Sequence, residues 1–242
     1  MTFPATTPLG ATAGVDLAGL LVSLQLSDSA FPSGFYTMSH GLEGFSQARL
    51  VERDGVEDLL RGLLLHSVGP GDATGLARAH EAAAAGDWDR VRLVDQLLFA
   101  SKLNAEMRRA SVRSGHQLTD ITRESIGGPA LDEWARSVAA KETPGCQPVA
   151  TAVAYVAAGV GTEQAVASDL SAFSASFLGA ALRLRLTDHR HLQVMLHALG
   201  PTIAQAADQA TRRGLEDLGG CVPMADVMSA QHERAEARLF AS

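Results

Sequence analysis

The sequence has little of what several common protein classes require. Its 242 residues include only two cysteines, Cys146 and Cys221, which lie too far apart in the chain to suggest a disulfide framework or a zinc ligand set. The 20 lysines and arginines are outnumbered by 27 aspartates and glutamates, and the net charge of −7 leaves no dominant basic footprint for nucleic acid. No uninterrupted apolar run of about 18 residues occurs, so no membrane span is expected.

The beginning of the chain also lacks targeting features. Residues 1–14 contain no lysine or arginine and no long apolar run, so they do not have the pattern of a signal peptide. Their Thr, Pro, Ala and Gly content predicts a flexible tail. We therefore expect a tail at 1–14, one domain at 15–242, and a cytoplasmic location in which the cysteines stay reduced.

Apolar residues, by contrast, make up 46% of the chain, although aromatic residues contribute only 5%. Alanine and leucine lose little on entering a helix, so this composition favours a helical core. No convincing strand pattern is present, and the expected fold is all-α, with about ten helices in one domain. Apolar periodicity and Gly or Pro breaks predict helices at 16–27, 34–48, 56–68, 73–85, 88–98, 103–118, 131–140, 147–160, 162–186, 189–199, 201–213 and 225–239. Four aspartates are predicted to cap the helices that follow them: Asp16, Asp54, Asp87 and Asp188.

Motifs for nucleotide or metal chemistry are missing. The glycines around Gly69-Pro70-Gly71 have no following lysine and no preceding strand, so they indicate a helix break rather than a phosphate-binding loop. The segment from His232 to Glu236 has glutamate where a zinc protease motif needs a second histidine, so it is interpreted as a solvated helix face with charge pairs. His189 and His191 are two residues apart and would point in different directions on a helix. We expect neither catalytic residues nor a bound cofactor or metal, and a binding protein rather than an enzyme.

Three segments contain unusual polar residues. Leu24–Glu43 combines a Pro-Gly corner with Ser and His residues, which could hold the corner by hydrogen bonds or contact a partner. Glu106–Gly115 places three arginines beside small residues, on either a solvated face or a binding patch. Asp226–Ser242 ends in large apolar residues beside an arginine, which could dock into the chain's own fold or into a partner.

In order and spacing, these segments resemble the urease accessory protein UreF family from about residue 17 to the end of the chain. The first motif is Phe31-Pro32-Ser33-Gly34 followed by Ser39-His40-Gly41-Leu42-Glu43. The second is Glu106 through Gly115, and the third is His232-Glu233 with Arg238-Leu239-Phe240-Ala241-Ser242. Each motif is weak alone, but the three together over the whole length are specific.

The sequence also departs from that family at three places. Ala241 stands where an arginine is frequent before the final serine, and Cys146-Gln147-Pro148 stands where a histidine near a proline is frequent. Asp188–His191 replaces a turn that is usually rich in Gly and Gln.

The resemblance implies an all-helical, usually dimeric protein that binds a UreD-type (UreH-type) accessory protein and helps to recruit a UreG-type GTPase. Such an assembly docks on the urease apoprotein and supports GTP-dependent nickel delivery, with GTP bound by the GTPase and nickel handled by the complex. No nucleic acid or membrane partner is implied. The expected partner-binding residues are Tyr36, Ser39, His40, Glu43, Glu106, Arg108, Ser111, His232, Glu233, Arg238, Leu239 and Phe240.

Two alternatives stay open at the level of the sequence. One is a helical regulatory or interaction protein unrelated to urease, which would share the helical fold but not the partners. The other is a helical enzyme that uses His232 and Glu233.

Overall fold

A computed structural model describes residues 16–34 and 37–240 of the chain, and it is built from helices without a strand in those ranges. This confirms the all-α prediction and the single compact domain. The α-helices are α1 (Leu17–Ser27), α2 (Leu42–Gln47), α3 (Val56–Leu63), α4 (Thr74–Ala84), α5 (Trp88–Ser101), α6 (Ala105–Ser125), α7 (Pro129–Ala139), α8 (Gln147–Ala157), α9 (Thr162–Arg183), α10 (His189–Ala198), α11 (Gly200–Arg212) and α12 (Pro223–His232).

Helices α8 and α9 form the centre of the fold. Helix α8 packs against α4, α6 and α7, and all nine residues from Gln147 to Tyr155 are buried. Helix α9 packs against α1, α4 and α11. By length and composition alone α9 could cross a membrane, but 56% of its apolar window is buried inside the domain, which is the pattern of a core helix.

Several helices begin where the sequence places a capping side chain. The carboxylates of Asp16, Asp87 and Asp188 accept backbone N–H groups of the first turns of α1, α5 and α10, as predicted. The prediction that Asp54 caps α3 is wrong. Asp54 lies within a 3₁₀ turn, Arg53–Gly55, that leads directly into the helix.

The predicted break at Gly69-Pro70-Gly71 is also wrong, because a π-helical stretch, Leu64–Ala73, joins α3 to α4 without a loop. Proline lacks an N–H group and its ring collides with the preceding turn of an ordinary α-helix. The wider π turn accommodates Pro70. The absence of a side chain at Gly69 is required, since a Cβ there would stand 2.4 Å from the carbonyl oxygen of Leu64.

Helix α1 turns its leucines to the outside. The periodic spacing of these leucines indicates one apolar face, but that face is exposed: Leu17 and Leu21 are 67% and 66% accessible, and Leu24 is 58% accessible. The residues that α1 buries are Gly19, Ser23 and Leu26. Spacing identified the face correctly, whereas only the packing of α1 on α9 decided which face is covered.

The helix predicted over 34–48 is too long, because α2 in the structure starts only at Leu42. His40 and Gly41 have φ angles of 54° and 85°, and a left-handed backbone cannot continue a right-handed helix.

Two aspartates, Asp95 and Asp169, are buried in the core. Asp95 accepts hydrogen bonds from Thr143 Oγ1 and from the backbone N–H groups of Gly145 and Cys146, which anchors the loop before α8. Asp169 on α9 accepts one from Gln147 Nε2 at 2.8 Å, and burial raises the pKa of Asp169 to about 7.

Candidate functional site

The three unusual segments meet in one buried cluster of charged side chains. His232 Nε2 lies 2.8 Å from Glu43 Oε2, and His232 Nδ1 lies 3.1 Å from Glu106 Oε2. Glu43 belongs to α2, Glu106 to α6 and His232 to the end of α12, so residues up to 189 positions apart share one contact. All three side chains are at most 6% exposed. We refer to Glu43, Glu106 and His232 as the carboxylate–histidine cluster.

Each contact in this cluster requires a proton between nitrogen and oxygen. Ionised carboxylates only accept hydrogen bonds, so a ring nitrogen of His232 that faces one carries the proton of that contact. Arg238 supplies a cation, since its Nη1 lies 2.9 Å from Glu106 Oε1 and its side chain is 42% exposed. The two buried glutamates are thus paired with His232 and with the guanidinium of Arg238, as buried charges require.

The same glutamates hold the last described residues of the chain. The backbone N–H groups of Leu239 and Phe240 donate to the Glu43 carboxylate at 2.8 and 3.0 Å. The ring of Phe240 is buried, and the guanidinium of Arg183 lies 4.3 Å from its centroid. Leu239 is 66% accessible, so the segment 238–240 is fastened at its base while one large apolar side chain faces outward.

Local sequence features bring these elements close together. The left-handed backbone at Gly41 starts α2 beside α12, and a Cβ at Gly44 would stand 2.5 Å from the carbonyl oxygen of Met228. The side chain of Asn104 caps α6 by accepting the N–H of Met107. Its Nδ2 donates to Ser229 Oγ on α12, so one asparagine both starts α6 and joins it to α12.

The predicted C-terminal helix over 225–239 is too long. Helix α12 ends at His232, and the chain then turns back so that residues 238–240 reach Glu43. The interpretation of His232 as part of a solvated helix face is likewise wrong, because only 1% of its surface is accessible. The ionic contacts to α2 and α6 explain why a histidine is tolerated there.

The remaining predicted residues of the first motif have different outcomes. Tyr36 lies outside the described residues. Ser39 is fully buried. His40 Nε2 lies 3.0 Å from Ser176 Oγ, its ring packs 4.6 Å from that of Phe173, and burial lowers the pKa of His40 to about 4.

The remaining residues of the second motif lie closer to the surface. Ser111 Oγ accepts the N–H of Gln147 at 3.4 Å, while the guanidinium of Arg108 lies over the ring of Phe99. Glu233 pairs with Arg109 at 3.0 Å and so connects the end of α12 to α6. The structure therefore brings the second and third motifs together, and the role of all these residues in binding a partner stays a prediction.

A cavity of ≈ 130 Å³ lies beside the cluster, lined by side chains that include His40, Lys102 and Ser229. Lys102 is paired with Asp72 at 2.7 Å. Within residues 16–34 and 37–240, no group of three or more His, Cys, Asp or Glu side chains has an arrangement that could hold a metal ion. In the carboxylate–histidine cluster, both ring nitrogens already face carboxylates. The arrangement is suited to fastening chain segments together.

Sequence reasoning missed several residues that hold the site. Three of them contact the cluster or the segments around it: Arg183, Asn104 and Gln47. The Nε2 of Gln47, for example, donates to the carbonyl of Ala237 at 3.1 Å. Asn104 had a detectable signal, because asparagine before an apolar-periodic run is a typical helix cap. The other two contacts join helix residues to the C-terminal segment, and no local pattern announces them.

Comparison with known proteins identifies the family of this chain. The UreF family model matches residues 50–200. The urease accessory protein UreF 2 of Brucella suis is 33% identical over 227 residues, covering 93% of this chain and 92% of the relative. The urease accessory protein UreF of Yersinia enterocolitica is 29% identical over 231 residues, covering 94% of this chain and all of the relative. By a family match over more than half its length and by these full-length similarities, the chain belongs to the UreF family of urease accessory proteins.

Proposed function

We propose that this protein is a non-catalytic scaffold in the maturation of urease, which binds a UreD-type (UreH-type) accessory protein and a UreG-type GTPase and brings them to the urease apoprotein. Its partners supply nucleotide chemistry and nickel handling, and the chain itself binds no cofactor. It acts in the cytoplasm, as a homodimer. Family membership supports the role in urease maturation, and the absence of a Walker A pattern from the sequence fits a division of labour with a GTPase.

One observation carries the assignment of a binding surface. Three motifs that are distant in the sequence fasten the segment 238–240 to the body of the protein through the carboxylate–histidine cluster. Buried charges are costly unless they are fully paired, so a chain that only needed to fold would gain little from placing them there. Their effect is to fix the position of Leu239 and the partly exposed Arg238, and fixing a surface before binding reduces the entropy lost on association.

The exposed leucine face of α1 is a second surface that suits a protein partner. Leu17, Leu20, Leu21 and Leu24 are all more than a third accessible. Contiguous exposed apolar residues on a folded domain indicate interaction sites more often than isolated ones do. A scaffold with two separate docking surfaces can raise the effective concentration of one partner near another without any bond chemistry.

The proposal is tested by urease activation in cells that lack this chain and receive it back as variants. We expect the Arg238→Ala variant to retain less of a UreD-type and UreG-type partner in pull-downs and to activate less urease. The Arg212→Ala variant serves as a matched control, because among the described residues Arg212 forms its one ion pair with Asp208 on its own helix. Normal urease activation in the complete absence of the chain would contradict the proposal, as would GTP hydrolysis by the purified chain alone.

A further inference from the structure

A groove on the outside of the domain has the composition of a site for acidic peptide segments. It consists of two adjoining cavities of ≈ 450 and ≈ 530 Å³ that share Phe99 of α5 and Val112 of α6 as their floor. Much of its wall is formed by four positively charged side chains: Arg108, Arg109, Arg113 and Lys141. We call this the α5–α6 groove.

The positive charge of the groove is not cancelled by its surroundings. The one carboxylate among its lining residues, Glu142, lies 3.5 Å from Arg92 and 3.6 Å from Arg136. Glu233 pairs with Arg109 at one end. Arg113 has no ion pair with any residue in the described part of the chain, and it is exposed. A cationic groove on a protein of net charge −7 is therefore a local feature against an acidic background.

The apolar floor of the groove requires that a ligand also present apolar side chains. Phe99 is half-buried, and the guanidinium of Arg108 lies 5.9 Å from its ring centroid, which holds that arginine at the rim. Arginine side chains present a planar donor fork that matches carboxylates, and aromatic floors favour apolar or aromatic side chains.

We propose that the α5–α6 groove binds an acidic segment of a partner protein in which carboxylate side chains alternate with aromatic or large apolar ones. Carboxylates pair with Arg108 and Arg113 at the rim while the apolar side chains cover Phe99 and Val112. A nucleic acid is a poorer fit, because typical nucleic-acid binders neutralise about 6–10 phosphates along a basic track and this chain is acidic elsewhere. The inference rests on the proposed function only for the identity of the maturation partner that carries this segment.

The chemistry is tested without any urease component, by fluorescence anisotropy of the purified chain with a fluorescein-labelled peptide that alternates Glu with Phe. We expect binding that weakens as salt is raised, since exposed charges are screened. Arg113→Glu should weaken binding by about fivefold or more, as loss of one attraction and gain of one repulsion imply. Arg190→Glu is the control, with the same charge change on α10 at an exposed residue that forms no salt bridge within the described ranges.

Four results would overturn the inference. They are equal binding by Arg113→Glu and Arg190→Glu, equal binding of a peptide with Gln in place of Glu, full competition by an oligothymidine, and self-association of the chain that Arg113→Glu abolishes. The last would identify a second copy as the occupant. The helicity and melting temperature of Arg113→Glu are measured as well, and unchanged values show that its effect on binding is local. If the chain binds the peptide but fails to activate urease, this inference stands while the proposed function fails.

Discussion

Replacing His232 with alanine is the sharpest test of the carboxylate–histidine cluster. The change removes the ring that contacts both Glu43 and Glu106, whose side chains are only 5% and 6% exposed, and leaves Arg238 as the cation paired with Glu106. Removing one partner of a buried ionic group costs about 3–5 kcal/mol, because the remaining charge stays desolvated. For a domain of about this size, each kcal/mol lowers the melting temperature by about 2–4 °C. We therefore expect a decrease of roughly 10 °C.

Melting followed by circular dichroism at neutral pH measures the global effect. Hydrogen exchange of residues 233–240 measures the local one, and we expect those amides to exchange faster because the Glu43 carboxylate no longer has a fixed orientation. His197→Ala provides the control at an exposed histidine on α10, where a surface change alters stability by about 0.5 kcal/mol or less.

A second variant separates charge from packing. Adding Glu43→Gln and Glu106→Gln to His232→Ala removes both buried charges, so part of the lost stability should return. If His232→Ala melts within a degree of the unmodified chain and residues 233–240 exchange as before, the ionic account of how this segment is held is refuted. If the triple variant is the least stable of all, shape rather than charge dominates.

Three further predictions concern glycine packing, a buried carboxyl group and the two thiols. Gly44→Ala should destabilise the fold by about 1–3 kcal/mol through overpacking against the backbone of α12, whereas Gly62→Ala, with open space at its Cβ, should be neutral or stabilising; urea denaturation checks both. Because burial raises the pKa of Asp169 from 3.8 to about 7, its neutral form is favoured in the folded state, and stability from this group is lost as pH rises through about 7. The loss is up to about 4 kcal/mol between about pH 4 and pH 8, and Asp169→Asn should flatten that dependence; a curve unchanged by Asp169→Asn would contradict it. A thiol reagent should modify exposed Cys221 in the native chain and buried Cys146 only after denaturation; reaction of both thiols at equal rates would rule out the buried placement.

The helices were the most predictable part of this protein. Their boundaries follow from capping side chains such as Asp87 and Asp188 and from glycine or proline after the last turn, which act within a few residues. Errors arose where backbone geometry overrides composition. Pro70 predicted a break between helices, but a π turn accommodates it. Gly41 was placed inside a predicted helix, whereas its left-handed backbone makes α2 start only at Leu42.

The site was predictable in its residues and not in its arrangement. The motifs around Glu43, Glu106 and His232 were recognisable as unusual, yet each was compatible with an exposed binding face. The structure instead buries these three side chains against one another. Sequence spacing carries no information about which of two polar segments will meet, because that depends on how intervening helices pack.

The sequence by itself determined an all-helical chain, most of its helix ends, the UreF-like motifs and the lack of nucleotide-binding motifs, because propensity, capping and periodicity are properties of neighbouring residues. Only the tertiary structure decided that the leucine face of α1 lies outside, that His232 lies between two carboxylates, and that Arg108 and Arg113 border an apolar groove. The physical reason is that burial and charge pairing depend on partners brought together from distant parts of the chain, and those partners exist only after the helices have packed.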